Sequence, residues 1–254
     1  MEQAPLIDVT GLTKQYAGVL AVDRLDFQVG GGTVLGLVGP NGAGKTTSMR
    51  CMTGIIPATA GRIRIAGYDL QTHACEAKRH LAFVPDTPHL FDYLTVEEHM
   101  RFSGRIYGIA DVEARMDRLL AEFELTDRRQ HLPGALSRGM KQKAAICMAF
   151  LHDPHAIFLD EPLTGLDPIG IRAMKDSIVN RATERGAAVV VSSHQLELIE
   201  EICDVIFVIQ DGRKIIAGSI EQIRSELSGM PDEPTLEDIF FRLTDAKKRA
   251  GTGD

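Results

Sequence analysis

The sequence predicts an α/β protein in which a mostly parallel sheet is combined with a small antiparallel β region and a helical insert. Short apolar runs alternate with longer segments of helical period, which is typical of layered α/β folds. The later runs are almost unbroken, as in parallel strands buried on both faces, whereas the first few alternate with polar residues and resemble an antiparallel meander. Strands are predicted at residues 6–9, 25–29, 34–38, 63–66, 81–84, 157–160, 188–192 and 205–209.

Composition excludes several classes of protein. Of the 254 residues, 25% are charged and 44% hydrophobic, which is ordinary for a globular chain. The net charge of -7 disfavours tight nucleic-acid binding, so no nucleic-acid partner is expected. The cysteines form no CxxC pair and no apolar run approaches a membrane span, while the start lacks a signal-like core. We therefore expect a chain that stays in a reducing compartment.

The chain divides into a main domain at residues 1–227 and a C-terminal segment at residues 228–254. Residues 95–125 have helical period throughout and predict a helical insert at about residues 92–137. A turn-rich stretch at residues 228–234 precedes Thr235 and Asp238, which have capping-box spacing. The apolar positions that follow indicate an amphipathic helix: Leu236, Ile239, Phe240 and Leu243. That helix either docks on its own domain, which we favour, or contacts a partner.

A phosphate-binding loop is predicted between a strand and a helix. Residues 39–46, GPNGAGKT, match GxxxxGK[ST] in full, after the strand at residues 34–38. Gly42 and Gly44 let successive backbone N–H groups face one anion, to which the helix N-terminus adds partial positive charge. Lys45 is expected to reach the β- and γ-phosphates, Thr46 to ligate Mg²⁺, and Thr47 to contact the α-phosphate. The predicted nucleotide-binding residues here are Gly39, Pro40, Asn41, Gly42, Ala43, Gly44, Lys45, Thr46 and Thr47.

Two carboxylates end a later apolar strand. Asp160 and Glu161 follow residues 156–159, at the carboxyl edge where parallel sheets bind ligands. Alone, such a pair is equally compatible with a solvated strand end. Beside a phosphate-binding loop it predicts that Asp160 holds Mg²⁺ and that Glu161, which points differently, acts as general base on an attacking water.

The stretch at residues 136–142, LSRGMKQ, resembles the signature of ABC ATPases, usually LSGGQ. Further elements of that family follow in order: Tyr16 where an aromatic stacks on adenine, residues 163–167 as the D-loop, and His194 as the switch histidine. The resemblance covers about residues 6–218. It implies a P-loop NTPase fold with a RecA-like parallel core, an antiparallel β subdomain and the helical insert.

The resemblance also implies a shared site between two ATPase domains. Ser137 is a good N-cap for a helix to about His152, and Gly139 leaves its N-terminus open to phosphate. By the resemblance, each ATP lies between the phosphate-binding loop of one domain and Ser137 and Gly139 of the other. Asp167 is expected to cross to the partner's site. The pair would be a homodimer or would join this chain to a related ATPase.

The chain departs from the family pattern at two positions. Asp86 stands where the family usually has a glutamine that touches Mg²⁺ and the water, in a loop that links the core to the insert. Asp86 is therefore included with Thr46 and Asp160 as a metal ligand, although an ionised carboxylate, unlike the glutamine, cannot donate a hydrogen bond. Arg138 replaces the second signature glycine, and we expect it to face solvent.

The expected function is that of the ATP-hydrolysing subunit of an ABC transporter. ATP and Mg²⁺ are its expected ligands, with Glu161 and His194 as catalytic residues. Closure of the ATP-bound dimer would drive substrate movement, with a preference for export, through a separate permease. The expected location is the cytoplasmic face of the membrane, peripheral through that permease. The alternative is a soluble ABC ATPase acting on ribosomes or DNA, which usually has paired domains, a coiled coil or zinc cysteines not found here.

Overall fold

The computed structural model describes residues 4–226 together with Thr235, Glu237 and Asp238. The strands are β1 (Ile7–Tyr16), β2 (Val19–Val29), β3 (Val34–Val38), β4 (Ala60–Ile65), β5 (Tyr68–Asp69), β6 (Leu81–Val84), β7 (Ala156–Asp160), β8 (Ala188–Ser192), β9 (Val205–Gln210) and β10 (Arg213–Gly218). The helices are α1 (Lys45–Met52), α2 (Ala74–Arg79), α3 (Val96–Tyr107), α4 (Val112–Glu122), α5 (Arg138–Phe150), α6 (Pro168–Thr183), α7 (Leu196–Ile202) and α8 (Ile220–Glu226). Short 3₁₀ turns lie at Thr126–Arg128 and Pro133–Ala135.

The central sheet has six strands in the order β10-β9-β3-β8-β7-β6, all parallel except β10. Every residue of β3, β7 and β8 is buried, because both faces of the sheet are covered. Along β3, Val34 and Val38 pack in the cluster with the helices, whereas Leu35 and Leu37 pack in the cluster with α1 and the second sheet. The prediction of a parallel α/β core is confirmed.

The second sheet is antiparallel and has the order β2-β1-β4-β5. It is not a simple meander, because β3 leaves it to join the central sheet and β4 pairs with β1. The first strands are also much longer than the predicted residues 6–9 and 25–29. Register shifts interrupt the β1–β2 pairing between Val9 and Gln15, so the polar alternation that marks a strand is locally lost there.

The insert consists of two helices rather than one continuous helix over residues 95–125. Thr95 caps α3 through a capping box with Glu98, as the spacing predicts. The chain then turns at Gly108, which has φ 67° and closes α3, and α4 begins at Val112 with Asp111 as its N-cap residue. The helical period of the sequence continues across this turn, which is why the break was not predicted.

Two further predictions concern where helices end and begin. Helix α5 ends at Phe150, slightly before the predicted His152. In the C-terminal segment, the hydroxyl of Thr235 accepts from the Asp238 backbone N–H at 3.2 Å, and the Asp238 carboxylate accepts from Thr235 in return. The predicted apolar face of that segment, Leu236, Ile239, Phe240 and Leu243, lies outside the described residues.

Within the described part of the chain, no helix is both long and apolar enough to cross a bilayer.

Candidate active site

The strand order brings the predicted site residues to one edge of the central sheet. Strands β3, β8, β7 and β6 are successive neighbours and run parallel. Their carboxyl ends lead into the phosphate-binding loop after Val38, into His194 after Ser192, into Glu161 after Asp160, and into Asp86 after Val84. Segments that are far apart in the sequence therefore line one edge, where parallel sheets bind ligands.

The phosphate-binding loop needs glycine at the start of α1 for two reasons. Gly44 has φ 103°, and a side chain there would meet the carbonyl oxygen of Ala21 at 2.6 Å. Gly42 also has positive φ, 81°, but faces open space. Since no side chain caps α1, its first N–H groups are available to an anion.

Lys45 is held inside the loop that precedes it. Its ammonium donates to the carbonyl oxygens of Gly39 at 2.6 Å and Pro40 at 3.2 Å, and the residue is buried. Burial lowers the pKa of Lys45, while the charges of Glu161 and Asp160 oppose that shift. The lysine is therefore close to the two carboxylates at the end of β7, Asp160 and Glu161.

Asp160 is the buried carboxylate of the site. It is 1% exposed, at the last position of β7, and accepts a hydrogen bond from the hydroxyl of Ser192 on β8. A buried carboxylate requires a cation or donors around it. Ser192 supplies one donor and Lys45 supplies a nearby positive charge.

Glu161 is turned away from the strand by its backbone. Its φ is 50°, its N–H donates to the carbonyl oxygen of Ser192 at 3.0 Å, and its carbonyl accepts from Thr164 at 3.1 Å. The carboxylate Oε2 lies 2.8 Å from Nδ1 of His194 and 3.4 Å from the His194 backbone nitrogen. The structure thus joins Glu161 and His194 directly, a contact that the sequence did not predict.

The signature residues lie in a separate cleft against the D-loop. Ser137 caps α5 by accepting from the Met140 N–H at 3.2 Å, as predicted. A side chain at Gly139 would meet the carbonyl oxygen of Gly165 at 2.4 Å. Gly139 is therefore required for contact with the D-loop of its own chain, as well as leaving the helix end open. No residue of the phosphate-binding loop lines this cleft, whose volume is about 250 Å³.

Asp167 is engaged within its own chain. Its carboxylate caps α6 by accepting from the Gly170 N–H at 2.9 Å, and it pairs with the buried Lys143 at 3.2 Å. These two contacts, the Gly170 bond first, lower the pKa of Asp167. If Asp167 contacts a partner's nucleotide site as predicted, the same carboxylate must also cap α6 and pair with Lys143.

Asp86 and Arg138, the two departures from the family pattern, contact each other. Oδ1 of Asp86 lies 3.5 Å from Nη2 of Arg138, and the stem of Arg138 runs over Gly165. The side chain of Arg138 is 59% exposed, so it does face solvent as expected, but it is also paired. Asp86 is directed to this arginine, an arrangement that gives no support to its predicted place among the metal ligands.

Four of the remaining predicted residues are at least partly accessible, whereas Gly39 and Ala43 of the loop are buried. Tyr16 ends β1 with 44% of its surface exposed, and the ammonium of Lys14 lies 4.8 Å from its ring centroid. Asn41 and Thr46 are exposed, and Thr47 is half-buried, at the start of α1. Their exposure fits contact with a ligand that enters from outside the sheet edge.

These residues fit ATP and Mg²⁺. A loop with open N–H groups and a lysine at its mouth suits a triphosphate. The Thr46 hydroxyl and the Asp160 carboxylate are the hard oxygen ligands that Mg²⁺ takes, and the ion usually completes its shell with phosphates and water. The described residues contain no cluster of three or more His, Cys, Asp or Glu side chains that could hold a metal by themselves.

Three contacts that support the site were not predicted from the sequence. Ser192 binds Asp160, Lys143 binds Asp167, and Arg138 binds Asp86. A polar residue at the carboxyl end of an otherwise apolar strand could have indicated Ser192. No comparable signal exists for the two cations, because their partners are distant in the sequence.

Known proteins resemble this chain over most of its length. Residues 22–164 match the ABC transporter family. The chain is 33% identical to the ABC-type transporter ATP-binding protein EcsA of Bacillus subtilis over 97% of this chain and 98% of that protein. It is 38% identical to the bacitracin transport ATP-binding protein BcrA of Bacillus licheniformis over 82% and 68% of the two chains. It is 34% identical to the Nod factor export ATP-binding protein I of Ralstonia nicotianae over 97% and 79%.

A solved structure agrees with these relatives. A protein described as the ATP binding subunit of an ABC transporter superposes with a TM-score of 0.88 and 34% identity, over 94% of this chain and 99% of that one. The P-loop NTPase fold with its parallel core is thereby confirmed. The chain belongs to the ABC transporter family, in which it is an ATP-binding subunit and an ATPase.

Proposed function

We propose that this chain hydrolyses ATP to drive export through a permease that is a separate polypeptide. The observation that carries the catalytic part is the contact of Glu161 with His194 beside the phosphate-binding loop. The proposed domains are an ATPase domain at residues 1–227, with the helical insert at about 92–137, and a linker and amphipathic helix at residues 228–254. The proposed location is the cytoplasmic face of the membrane, held through the permease.

In the proposed mechanism, the first turn of α1 and Lys45 bind the β- and γ-phosphates. Thr46 and Asp160 would hold Mg²⁺, which would neutralise phosphate charge when bound. Glu161 takes the proton of the attacking water, and its contact with His194 orients the carboxylate. His194 then lies where loss of the γ-phosphate changes its surroundings, so it can report hydrolysis to the rest of the chain.

The signature supports a site shared by two ATPase domains. Ser137 and Gly139 expose a second phosphate-binding helix end, in a cleft that no residue of the phosphate-binding loop lines. A second copy, or a related ATPase, would place its own ATP against this helix end. ATP would then stabilise the closed dimer, and hydrolysis would shift the equilibrium towards the open one.

An exposed aromatic patch on the insert supports docking of a permease. We define the insert patch as Phe91, Tyr93, Phe102 and Ile106, which are 60%, 91%, 46% and 65% exposed. Phe91 and Phe102 contact edge to face, with centroids 5.9 Å apart, so at least these two residues form one surface. Clustered exposed apolar side chains commonly mark protein interaction sites. The loop after β6 joins this patch to the nucleotide site.

Charge in the insert patch should detach the chain from membranes. We expect Phe102→Asp, and separately Ile106→Asp, to lower several-fold the fraction of tagged chain that sediments with membranes from the source cells. Basal ATPase activity should be unchanged, because the patch contacts no site residue. The matched control is Ile55→Asp, an isoleucine outside the patch that is 57% exposed. Equal sedimentation of all variants, or association with ribosomes instead, would contradict the permease proposal.

Export is favoured by the relatives and by the form of the signature. The similar proteins include one named for bacitracin transport and one named for Nod factor export. The direction can be measured with vesicles that contain the chain and its co-purified permease. Substrate accumulation in inside-out vesicles on addition of ATP indicates export, and accumulation only in right-side-out vesicles loaded with ATP indicates uptake.

The Asp86–Arg138 pair is expected to couple hydrolysis to the permease. Such an exposed ion pair contributes at most about 1 kcal/mol, so Asp86→Ala should change ATP affinity by no more than a few-fold. It should abolish stimulation of the ATPase by the permease, and Arg138→Gln should do the same, whereas Asp86→Gln should retain coupling. The measurement is the ATPase rate with and without permease across a Mg²⁺ titration, with the exposed Asp127→Ala as control. If Asp86→Ala responds as the parent does, the coupling runs through other residues.

A further inference from the structure

A cavity of about 370 Å³ lies between α4 of the insert and the C-terminal part of α6. Four arginines line it, two from α4 and two from α6 and the residues after it: Arg115, Arg118, Arg181 and Arg185. Only two carboxylates join them, Glu122 and Asp153. The lining therefore has an excess of positive charge, although the whole chain carries a net charge of -7.

Arg181 is the buried member of this cluster. It is 5% exposed, and its guanidinium lies over the ring of Phe150, 3.9 Å from the centroid. The nearest carboxylate oxygen, Oε1 of Glu122, is 3.7 Å from Nη1, beyond hydrogen-bond distance. Within the described residues, the guanidinium donates no hydrogen bond. Burial lowers the pKa of Arg181, and the charge of Glu122 opposes that shift. Keeping this guanidinium charged inside the protein therefore costs desolvation free energy.

The other three arginines retain donors for a ligand. Arg185 binds Asp153 at 2.5 Å through one nitrogen, and Arg115 binds Asp111 at 2.9 Å and the carbonyl oxygen of Leu151 at 3.3 Å. Among the described residues, the one hydrogen bond that Arg118 donates goes to the carbonyl oxygen of Ala114 in its own helix, at 3.3 Å. A guanidinium has five N–H donors, so most of the donors around the cavity are unused by the described residues.

A purely structural clamp between α4 and α6 does not account for this arrangement. A clamp would need Arg181 and Glu122 in hydrogen-bonded contact, since a buried charge is tolerated only when it is paired and bonded. It would also not need Arg118, which forms no ion pair with any carboxylate among the described residues. An anion in the cavity would supply acceptors to both residues at once.

We propose that this cavity binds a small molecule bearing a phosphate group, and that the bound anion bridges α4 of the insert and α6 of the core. Arginine forks match phosphate oxygens in pairs, and this chemistry sets the ligand class. The volume exceeds what a single phosphate needs, and Leu119, Phe150 and Leu151 supply an apolar wall for an attached organic group. The phosphate can belong to a free metabolite or to a lipid headgroup.

Binding of an anion here would fasten the insert to the core. Arg115 and Arg118 belong to α4, whereas Arg181 belongs to α6. The insert connects through the loop after β6 to the nucleotide site, so its attachment to α6 would set how freely it moves during hydrolysis. The inference does not depend on the proposed export function, and its failure would leave that function intact.

The test is calorimetric titration of the full chain carrying Lys45→Ala, which weakens the phosphate-binding loop as a competing site. The probes are inorganic pyrophosphate and vesicles containing phosphatidic acid, both without Mg²⁺. We expect Arg118→Gln to lower pyrophosphate affinity at least about tenfold, as loss of a charge-assisted bond does. Arg118 is chosen because its removal breaks no ion pair. The control is Arg172→Gln, an exposed arginine on α6 outside the cavity.

The titrations distinguish a soluble phosphate compound, a lipid headgroup and the absence of a site. Pyrophosphate binding that is weakened by Arg118→Gln, but not by Arg172→Gln, supports a site for a soluble phosphate compound. If the vesicles bind but pyrophosphate does not, and vesicle binding is weakened by Arg118→Gln but not by Arg172→Gln, the phosphate belongs to a lipid headgroup. Absence of binding by both probes, or equal loss in the Arg172 variant, would overturn the proposal.

Discussion

Replacing Glu161 with glutamine should lower ATP turnover by at least ~100-fold while ATP binding is retained. The amide has nearly the shape of the carboxylate and can keep a hydrogen bond to His194, but it cannot accept the proton of the attacking water. Because the ATP then persists, a dimer that forms around it should also persist. The measurements are the steady-state ATPase rate, nucleotide affinity, and size-exclusion chromatography with ATP and Mg²⁺.

The matched control for this experiment is Glu76→Gln, on the exposed first turn of α2. It makes the same chemical change away from the sheet edge and should leave turnover at the parental value. A loss smaller than about tenfold in the Glu161 variant would refute the general-base role. The carboxylate would then serve only to hold His194.

Lys45→Ala should weaken binding of ATP itself, by about 10-fold to 100-fold. The loss corresponds to a charge-assisted hydrogen bond to phosphate, in a site where Lys45 is the buried cation. The measurement is titration with a fluorescent ATP analogue, and Lys214→Ala, at an exposed position of β10, serves as the control for loss of a lysine. An unchanged affinity would contradict the assignment of residues 39–46 as the phosphate-binding loop.

The same variant tests the shared site by complementation. A Lys45→Ala chain supplies a good signature, and a Ser137→Arg chain supplies a good phosphate-binding loop but fills the end of α5 with a bulky cation. Each should be inactive alone, and their mixture should recover ATPase activity, because one composite site per mixed dimer is intact. Failure of the mixture to recover activity would contradict a model in which a single intact composite site can turn over.

The parallel core was predictable because its strands are buried on both faces. Burial on both faces demands apolar residues at consecutive positions, and the bounds of β3, β6 and β8 were predicted as observed. The phosphate-binding loop was predictable for a related reason. Its glycines and lysine are required by local backbone geometry and by one ligand, so the pattern is contiguous in the sequence.

Other features depend on contacts that no local pattern encodes. Strands β5 and β10 were not predicted, since β5 has two residues and β10 is partly exposed at a sheet edge. The Asp86–Arg138 pair joins two segments that only the folded chain brings together. The same is true of Gly139, whose sequence context indicates an open helix end and gives no sign of the Gly165 carbonyl against it.

The position of β3 in the sheet has a consequence for synthesis of the chain. Strand β3 leads into the phosphate-binding loop, yet both of its neighbours, β8 and β9, come from near the other end of the sequence. A ribosome therefore releases the loop long before the strands that support it exist, and parallel pairing over such distances forms slowly. Nucleotide cannot assist the early part of folding. A chain interrupted before β8 lacks both strands that flank β3, so ATP binding would report that synthesis has passed β9.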